Sequence, residues 1–357
     1  MINRQFWQDK RVLLTGHTGF KGSWMSMVLK ALGASICGVA LKPDTVPSLF
    51  EILELKEKVE NNYLNIIDHS VLANFILEFE PDIIFHLAAQ PLVSRSYKSP
   101  LETMETNIFG TLGLLEGIRK YGRKVRCVIN ITSDKVYLNK INKAFSEEDA
   151  LGGRDPYSSS KACSDIISMA YGHSYFNELG ISLATVRSGN VIGGGDWSED
   201  RLIPDLIRFI ESSKNLVIRN PKAIRPWQHV LEPISGYLLL AQSLFEKKIV
   251  SADSWNFGPA KEDCISVKDL LERVNKLSKY HIFWEEPDCK RFYEAPILML
   301  DSGKAKKVLG WCPKWSLNKS LQMTIDWYEK WIDKKDMYDL TLEQLFEYFG
   351  KSTLVED

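Results

Sequence analysis

The chain has 357 residues, of which 45% are hydrophobic and 25% charged, and its formal net charge is -1. This length exceeds what one hydrophobic core usually serves, so we expect two lobes or one large α/β domain. The near-neutral charge argues against a nucleic-acid-binding or membrane-surface protein, because both classes carry basic patches.

The N-terminus and the cysteines indicate the compartment. Residues 1–10 lack the apolar region of a signal peptide, and no run of about 18 apolar residues predicts a transmembrane helix. The cysteines are scattered without a C-x-x-C pair: Cys37, Cys127, Cys163, Cys264, Cys289 and Cys312. This pattern favours buried reduced thiols over a zinc or redox site. We therefore expect a cytoplasmic protein that binds no metal, no nucleic acid and no membrane.

The first elements predict a dinucleotide-binding turn. The apolar run Val12–Leu14 predicts a strand, and apolar residues at helical spacing over Ser23–Leu32 predict a helix. The segment Thr15–Gly22 between them has G-x-x-G-x-x-G spacing. Its first glycine permits a tight turn, the second lets the backbone approach a pyrophosphate, and the third allows close helix packing. A glycine triplet alone is weak evidence, but its place between strand and helix strengthens it.

The second predicted strand leaves the choice between NAD and NADP open. Ser35–Leu41 predicts that strand, and Lys42 stands near the place where an acidic residue would bind the adenosine ribose of NAD. Lys42 either favours a 2′-phosphate or is simply solvated. Further along, Asn65–Asp68 predicts the end of a short strand. Asp68 there either bonds the adenine amine or caps the next helix.

Two later strands end in candidate functional groups. Pro81–Gln90 predicts a fourth strand whose small terminal residues would let the backbone pass close to a cofactor, although a plain turn fits equally well. After a helix over 100–121, Val125–Ile131 predicts a buried strand that leads into Ser133-Asp134-Lys135. Ligands of open parallel sheets bind beyond the carboxyl ends of the strands, so these side chains are catalytic candidates. A polar capping turn is the alternative.

Tyr157 and Lys161 lie four residues apart on a predicted helix and therefore share one face. An ammonium group stabilises a phenolate, so such a pair supplies a base for a sugar hydroxyl at neutral pH. Solvated tyrosine and lysine explain most isolated Y-x-x-x-K spacings. This pair follows Ser133 by 24 residues, on the helix expected after that strand, which favours the catalytic interpretation.

The later part of the chain predicts a substrate loop and a second lobe. Ile181–Arg187 predicts a sixth strand, and Gly193–Gly195 beyond it predict a flexible cradle for a phosphate or sugar, or a plain long turn. Several potential cations follow: Arg201, Arg219, Arg225 and His229. Arginine suits a diphosphate best, although any single arginine fits a surface charge. Trp255–Pro259 predicts a returning strand, and helices are expected over 266–279, 320–331 and 337–349.

Taken together, these motifs resemble the extended short-chain dehydrogenase/reductase family. The aspartate after Ser133 is similar to that of nucleotide-sugar 4,6-dehydratases. Within these dehydratases, the chain resembles the branch that acts on CDP-glucose. This resemblance rests on the following segments: Gly16–Trp24, Ala88–Val93, Ile131–Lys135, Ser188–Trp197, Asp200–Asp205, Arg219–Pro221 and Ile224–Val230. It extends over nearly the whole chain, from Phe6–Trp7 to Trp327–Tyr328.

The resemblance implies a Rossmann-type doubly wound parallel sheet with a smaller C-terminal α/β substrate-binding lobe. The NAD-binding domain would comprise residues 1–187 and about 229–260, and the nucleotide-sugar lobe about 188–228 and 261–357. Catalytic roles are implied for Ser133, Asp134, Lys135, Tyr157 and Lys161. Cofactor contacts are implied for Gly16, Thr18, Gly19, Phe20, Lys21, Gly22, Ile67, Asp68, Leu87, Ala88, Ala89, Tyr157 and Lys161. Substrate contacts are implied for Gln90, Asn190, Trp197, Arg201, Arg219, Arg225 and His229.

The implied reaction converts CDP-D-glucose to CDP-4-keto-6-deoxy-D-glucose with loss of water. Hydride passes from C4 to bound NAD and returns to C6. Tyr157 would take the C4 hydroxyl proton, and Asp134 would act as general acid to the C6 hydroxyl. Lys135 stands where the dTDP-sugar dehydratases are expected to carry a glutamate as C5 base. It is therefore either that base, with its pKa depressed, or a residue that orders Asp134.

Alternative functions remain open at this point. They are a 4,6-dehydratase of a dTDP- or GDP-linked hexose, a nucleotide-sugar 4-epimerase or 4-oxidase, and a non-catalytic nucleotide-sugar binder. An epimerase has no use for Asp134, and a non-catalytic binder would be expected to lack Tyr157 or Lys161. The family also implies a homodimer or higher homo-oligomer formed through helix 100–121 and the Tyr157 helix. Apolar residues permit this pairing, and equally permit packing inside the monomer: Leu101, Met104, Ile108, Leu112 and Leu115.

Overall fold

A computed structural model describes residues 2–138, 143–212, 216–286 and 295–354. The strands are β1 Arg11–Thr15, β2 Ser35–Ala40, β3 Glu60–Tyr63, β4 Ile83–His86, β5 Cys127–Ile131, β6 Ser182–Ser188, β7 Val191–Ile192, β8 Leu216–Val217, β9 Ile224–Pro226, β10 Gln228–His229, β11 Asp253–Phe257, β12 Cys264–Ser266 and β13 Trp284–Glu285. Seven of them form one sheet in the order β11-β6-β5-β4-β1-β2-β3, and every pairing in it is parallel.

The helices lie between and around these strands. They are α1 Arg4–Trp7, α2 Phe20–Ala31, α3 Leu49–Ile52, α4 His69–Phe79, α5 Val93–Lys98, α6 Pro100–Met104, α7 Gly110–Tyr121, α8 Pro156–Tyr171, α9 Leu202–Ser212, α10 Leu231–Phe245, α11 Val267–Leu277, α12 Leu317–Ile332, α13 Met337–Phe349 and α14 Lys351–Leu354. Short 3₁₀ turns occupy Leu55–Glu57, Asp134–Val136 and Lys261–Asp263, and single π-helical turns occupy Glu105–Phe109, Gly172–Phe176 and Ala305–Leu309.

Both faces of the sheet are covered by helices, which is why its central strands are almost continuously apolar. Side chains alternate across a strand, so Leu13 joins one apolar core while Val12 and Leu14 join another. The Leu13 core includes residues of α4 and α7. The other core contains residues of α2 and α10 and continues into α12 and α13. The predicted doubly wound α/β fold is confirmed.

Two predicted elements differ from the structure. Strand β3 ends at Tyr63, so the prediction that Asn65–Asp68 ends a strand is wrong. The strand is an edge strand of polar sequence, Glu60-Asn61-Asn62, which an apolar-run pattern does not detect. The predicted helix 100–121 is interrupted by a π-helical turn that carries Asn107.

Five of the six cysteines lie within the described residues, and all five are free thiols. Cys37 and Cys127 are buried free thiols, Cys163 and Cys264 are partly buried, and Cys312 is exposed. Cys289 lies outside the described residues. In the described ranges, no helix has the length and apolarity needed to cross a membrane. Those ranges also contain no group of three His, Cys, Asp or Glu side chains arranged to hold a metal ion.

Candidate active site

The centre of the site is the short turn that follows β5. The Ser133 hydroxyl accepts a hydrogen bond from the backbone N–H of Lys135 at 3.2 Å and donates to Asp134 Oδ1 at 3.1 Å. Ser133 is therefore the cap of a 3₁₀ turn as well as a candidate catalytic group. Capping is compatible with the predicted catalytic role, because it fixes the side chains at the strand end.

Asp134 and Lys135 form an ion pair of unequal exposure. Lys135 Nζ lies 3.5 Å from Asp134 Oδ1, and the side chains are 28% and 2% exposed. The other carboxylate oxygen of Asp134 is buried and has no hydrogen-bond partner among the described residues. This oxygen is therefore available to accept a hydrogen bond from a ligand.

Tyr157 reaches the same site from the first turn of α8. The Asp155 side chain caps that helix by accepting from the Ser158 N–H at 2.9 Å. Burial raises the pKa of the Tyr157 phenol, while the charge of Lys135, a hydrogen bond with Ser133 and the charge of Arg201 lower it. Asp134 also raises this pKa. Four other predicted site residues therefore change the pKa of Tyr157: Ser133, Asp134, Lys135 and Arg201.

Lys161 has a different partner from the one expected. Its ammonium donates to the carbonyl of Ile131, the last residue of β5, at 2.9 Å. Burial lowers the pKa of Lys161 to about 8, and the charge of Asp165 opposes this shift. The cations that lower the pKa of Tyr157 are Lys135 and Arg201, whereas the sequence analysis assigned that effect to Lys161 alone.

The glycine-rich turn fits a dinucleotide pyrophosphate. A Cβ on Gly16 would lie 2.6 Å from the backbone nitrogen of Ala88, and one on Gly22 would lie 2.1 Å from the Gly16 carbonyl oxygen. Gly19 is exposed and stands at the N-terminus of α2, where backbone N–H groups lack helical partners. Thr18 ties this turn to the end of β2 through a 2.8 Å bond to the Leu41 carbonyl.

The side chain of Lys21 leaves the turn and points toward the candidate catalytic groups. It donates to the Ser188 hydroxyl at 3.0 Å and to the Tyr237 hydroxyl at 3.3 Å. Burial, followed by the charges of Arg201 and Lys161, lowers the pKa of Lys21 to about 7, against the opposing charge of Asp134. Phe20 is half-buried beside Gly193.

The remaining cofactor candidates line the same edge of the sheet. Leu87, Ala88 and Ala89 are half-buried, and Ala88 N–H donates to the Thr15 hydroxyl at 3.2 Å. Ile67 and Asp68 are exposed at the start of α4. Within the described part of the chain, the Asp68 side chain makes no capping hydrogen bond, so its adenine contact stays a prediction.

Two of the three predicted arginines are held by acidic neighbours. Arg201 pairs with Asp196 at 2.9 Å, and Arg219 pairs with Asp200 at 2.9 Å. Arg225 is buried. Asn190 is half-buried, and its side-chain oxygen has no hydrogen-bond partner among the described residues.

The expectation that His229 contributes a cation is wrong. His229 is fully buried, with its ring centroid 5.6 Å from that of Trp24 and 4.9 Å from that of Trp315. Burial lowers the pKa of His229 to about 3, so the ring is neutral at physiological pH. The charged form is too costly in an aromatic enclosure.

Two other substrate-side expectations differ from the structure. Trp197 is buried in a cluster with Trp327, Tyr328 and Trp331, where it packs as a core residue. The Gly193–Gly195 segment is buried rather than a flexible cradle, since a Cβ on Gly194 would lie 2.0 Å from Trp327 Cγ. Close packing, not mobility, requires the glycine.

The Gln90 side chain is occupied within the protein. It accepts from the Leu92 N–H at 2.7 Å and donates to the Leu92 carbonyl at 3.1 Å and the Thr103 hydroxyl at 2.8 Å. Gln90 therefore shapes the loop after β4.

Asp165 and Arg187, which the motifs do not predict as functional residues, form a buried ion pair at 2.8 Å behind the turn that follows β5. A signal was present, because Tyr157, Lys161 and Asp165 recur every four residues on one helix face.

Comparisons with known proteins agree with this geometry. The family described as GDP-mannose 4,6 dehydratase matches residues 13–324. A CDP-glucose 4,6-dehydratase from Salmonella typhimurium is 45% identical over 359 aligned residues, covering 99% of this chain and 100% of that protein. A dTDP-glucose 4,6-dehydratase from Escherichia coli is 29% identical, covering 89% of this chain and 93% of that protein.

Solved structures share the fold. A dTDP-glucose 4,6-dehydratase from Bacillus anthracis in complex with NAD superposes with a TM-score of 0.72 at 24% identity, covering 90% of this chain and 97% of that chain. A UDP-glucose 4-epimerase from Thermotoga maritima with UDP-glucose gives a TM-score of 0.76 at 24% identity, covering 90% and 99%. Since a dehydratase and an epimerase superpose almost equally well, the fold alone does not separate the two activities.

The parallel sheet, the glycine-rich turn and the Ser133–Tyr157–Lys161 group define an extended short-chain dehydrogenase/reductase. Within that class the chain belongs to the family of nucleotide-sugar 4,6-dehydratases, whose match spans residues 13–324.

The neutral state of His229 predicts a measurable pH dependence of stability. The folded pKa lies below the ordinary value, so the unfolded state binds protons that the folded state cannot as the pH falls below about 6.5. As the pH falls from 6 to 5, the free energy of unfolding should therefore decline less steeply for His229→Phe than for the wild type. The two slopes should differ by up to ~1.4 kcal/mol per pH unit. Urea unfolding measures this slope. The exposed His173→Gln variant should retain the wild-type slope, and equal slopes for His229→Phe and wild type would contradict a neutral His229.

Proposed function

We propose that this protein converts CDP-D-glucose to CDP-4-keto-6-deoxy-D-glucose with loss of water, using bound NAD. The observation that carries the proposal is the buried Asp134 carboxylate beside Tyr157, because a 4-epimerase needs the phenol but not a second acid. The choice of CDP-glucose rests on the 45% identical Salmonella typhimurium protein, whose stated substrate is CDP-glucose.

The residues divide the chemistry among themselves. Bound NAD, held at the glycine-rich turn before α2, would supply the reversible hydride acceptance that a transfer of hydrogen from C4 to C6 requires. Tyr157 accepts the C4 hydroxyl proton. Burial and the charge of Asp134 raise its pKa, and Lys135, Ser133 and Arg201 favour its phenolate against them. The backbone N–H groups at the N-terminus of α2 bind the cofactor pyrophosphate. Arg201 and Arg219 supply the cationic charge for the substrate diphosphate. The diphosphate must compete for these arginines with their partners Asp196 and Asp200.

The Asp134–Lys135 pair supplies the acid and the base of the elimination. In the ion pair, Asp134 is a carboxylate and Lys135 an ammonium; moving one proton between them gives a neutral acid beside a neutral amine. In that form Lys135 removes the C5 proton, and Asp134 gives its proton to the C6 hydroxyl, which leaves as water. The step ends with the original ion pair, so the protons balance. The 3.5 Å separation of the two groups supports this assignment.

The substrate assignment has a direct assay. With CDP-glucose the wild-type protein should give the alkaline absorbance of a 4-keto-6-deoxy sugar, and Tyr157→Phe should reduce turnover by at least ~10²-fold because the base is lost. The exposed Tyr121→Phe serves as control and should turn over normally. Product from dTDP- or GDP-linked hexoses but not from CDP-glucose would overturn the nucleobase assignment.

The base assignment is tested by isotope exchange. A Lys135→Ala variant incubated in deuterium oxide should fail to incorporate solvent deuterium at C5, because the C4 ketone still acidifies that position but the amine is absent. Nuclear magnetic resonance of the recovered sugar reads the exchange. Undiminished exchange would show that Lys135 orders Asp134 while another group takes the proton.

We also propose a homodimer formed through α6, the adjoining π-helical turn and α8. Leu101, Phe109 and Ile166 are exposed apolar side chains on these segments, whereas Leu115 is buried inside the monomer. Sedimentation velocity should give the mass of two chains or more, and Ile166→Asp should reduce it. Val250→Asp, at an exposed valine elsewhere, is the control; a monomeric wild-type protein would contradict the proposal.

The division into an NAD-binding domain and a nucleotide-sugar lobe also remains a proposal, supported by the return of β11 to the main sheet. A cytoplasmic location is supported by the free thiols and is tested by cell fractionation.

A further inference from the structure

We propose that Lys21 is a proton-accepting group of the cofactor site: its side-chain amine takes up a proton and becomes an ammonium group when the diphosphate of a dinucleotide binds at the N-terminus of α2. Lys21 has this role only if NAD binds at α2, as proposed above. The family resemblance implies a cofactor contact for Lys21, but it implies no change in the charge of the side chain.

The Lys21 amine is held by two hydroxyl groups. Its Nζ lies 3.0 Å from the Ser188 hydroxyl at the end of β6 and 3.3 Å from the Tyr237 hydroxyl on α10. The two hydroxyls lie 2.8 Å from each other. A hydroxyl can donate or accept a hydrogen bond, so the same pair satisfies either an ammonium group or a neutral amine. Lys21 can therefore gain or lose a proton without a change of partners.

Lys21 lacks the anionic partner that would fix its charge. Lys135 pairs with Asp134 and Arg201 pairs with Asp196, whereas Lys21 forms no ion pair within the described ranges. An ammonium group has three N–H donors, so one donor of Lys21 has no acceptor in the described part of the chain. Lys21 is half-buried, so it remains open to a ligand.

The charges that face Lys21 are mainly positive. Arg201, just before α9, and Lys161, on α8, lower its pKa, while Asp134, in the turn after β5, raises it. Burial is the largest cause, and the pKa of Lys21 falls to about 7. The Tyr237 phenol supplies no charge, because burial raises its pKa above the usual range. Without a ligand, much of the protein therefore carries a neutral Lys21 above pH 7.

A diphosphate at α2 supplies the missing negative charge. Lys21 is in the first turn of that helix, where N–H groups without helical partners bind phosphate oxygens. Five bonds separate its Cα from Nζ, a reach on the order of 6 Å, so a phosphate at this turn would lie close to the amine. An opposite charge within about 4–6 Å favours the charged form and shifts a pKa by about one unit or more. The amine then takes its proton from the solvent.

The expected source of the diphosphate is the cofactor, because Lys21 belongs to the glycine-rich turn that fits a pyrophosphate. Arg201 and Arg219 are the cations proposed for the nucleotide sugar. ADP-ribose and CDP-glucose distinguish the two sources when each is added separately to the cofactor-free protein. Each ligand carries one diphosphate, and neither diphosphate titrates near pH 7.

Isothermal titration calorimetry in buffers of different ionisation enthalpy counts the protons that are taken up with each ligand. At pH 7.5 the wild-type protein should take up about half a proton more with ADP-ribose than Lys21→Met does, because the ligand raises the pKa of the amine. Lys21→Arg keeps a permanent cation, so it should bind ADP-ribose and show the same loss of uptake. Lys30→Met, the same substitution at an exposed lysine of α2, should behave as the wild type.

The affinity for ADP-ribose should also depend on pH. The ligand favours the ammonium form, so binding should weaken as the pH rises through the pKa of the ligand-free amine. The expected loss of affinity in the wild type is about fivefold between pH 6.5 and 8.5. Lys21→Arg and Lys21→Met should lose most of this dependence.

Equal proton uptake by the wild type and Lys21→Arg would overturn the proposal, as would uptake that accompanies CDP-glucose and not ADP-ribose. Failure of ADP-ribose to bind would overturn it together with the proposed cofactor site. The calorimetry needs no turnover, so absence of activity with every nucleotide sugar would contradict the proposed function and leave this result standing.

Discussion

The parallel pairing of β1, β4, β5 and β6 is the constraint on which the site depends. Because all four strands run the same way, their carboxyl ends meet at one edge of the sheet. The turn after β1 provides the glycines, the turn after β4 provides Ala88, and the turn after β5 provides Ser133–Lys135. The loop after β6 begins at Ser188, which accepts from Lys21. Groups separated by more than 150 residues thus meet at one edge of the sheet.

Burial is the largest cause of the pKa shifts at this site. Lys21 and Lys161 are desolvated amines whose pKa values fall to about 7 and about 8, and Tyr157 is a buried phenol whose pKa rises. Burial thus favours the uncharged form of each of these groups. For the two lysines a carboxylate opposes burial: Asp134 raises the pKa of Lys21, and Asp165 raises that of Lys161. Asp134 lies among the reacting groups, and Asp165 lies behind them on α8.

Local patterns were sufficient for the parts of the fold and site that the sequence predicted. The strand, glycine turn and helix at the N-terminus are encoded within about 20 residues, and the Tyr157–Lys161 spacing is encoded within one helix. The state of His229 was not predictable in this way, because it depends on Trp24 and Trp315, which lie far from it in the chain. Gly194 is similar: a glycine fits an open loop or a tight contact, and only Trp327 shows which one is present. The effect of Lys135 on Tyr157 likewise arises from two elements brought together by the sheet.

In the proposed reaction, Tyr157, Asp134 and Lys135 serve an internal redox cycle in which the C4 hydride of the sugar returns to C6. Incubation with CDP-glucose deuterated at C4, followed by mass and nuclear magnetic resonance analysis of the product, tests it most directly. The deuterium is predicted at C6 of a 4-keto-6-deoxy sugar. Deuterium found again at C4 of an epimerised hexose, or absent from the sugar product, would contradict the assignment.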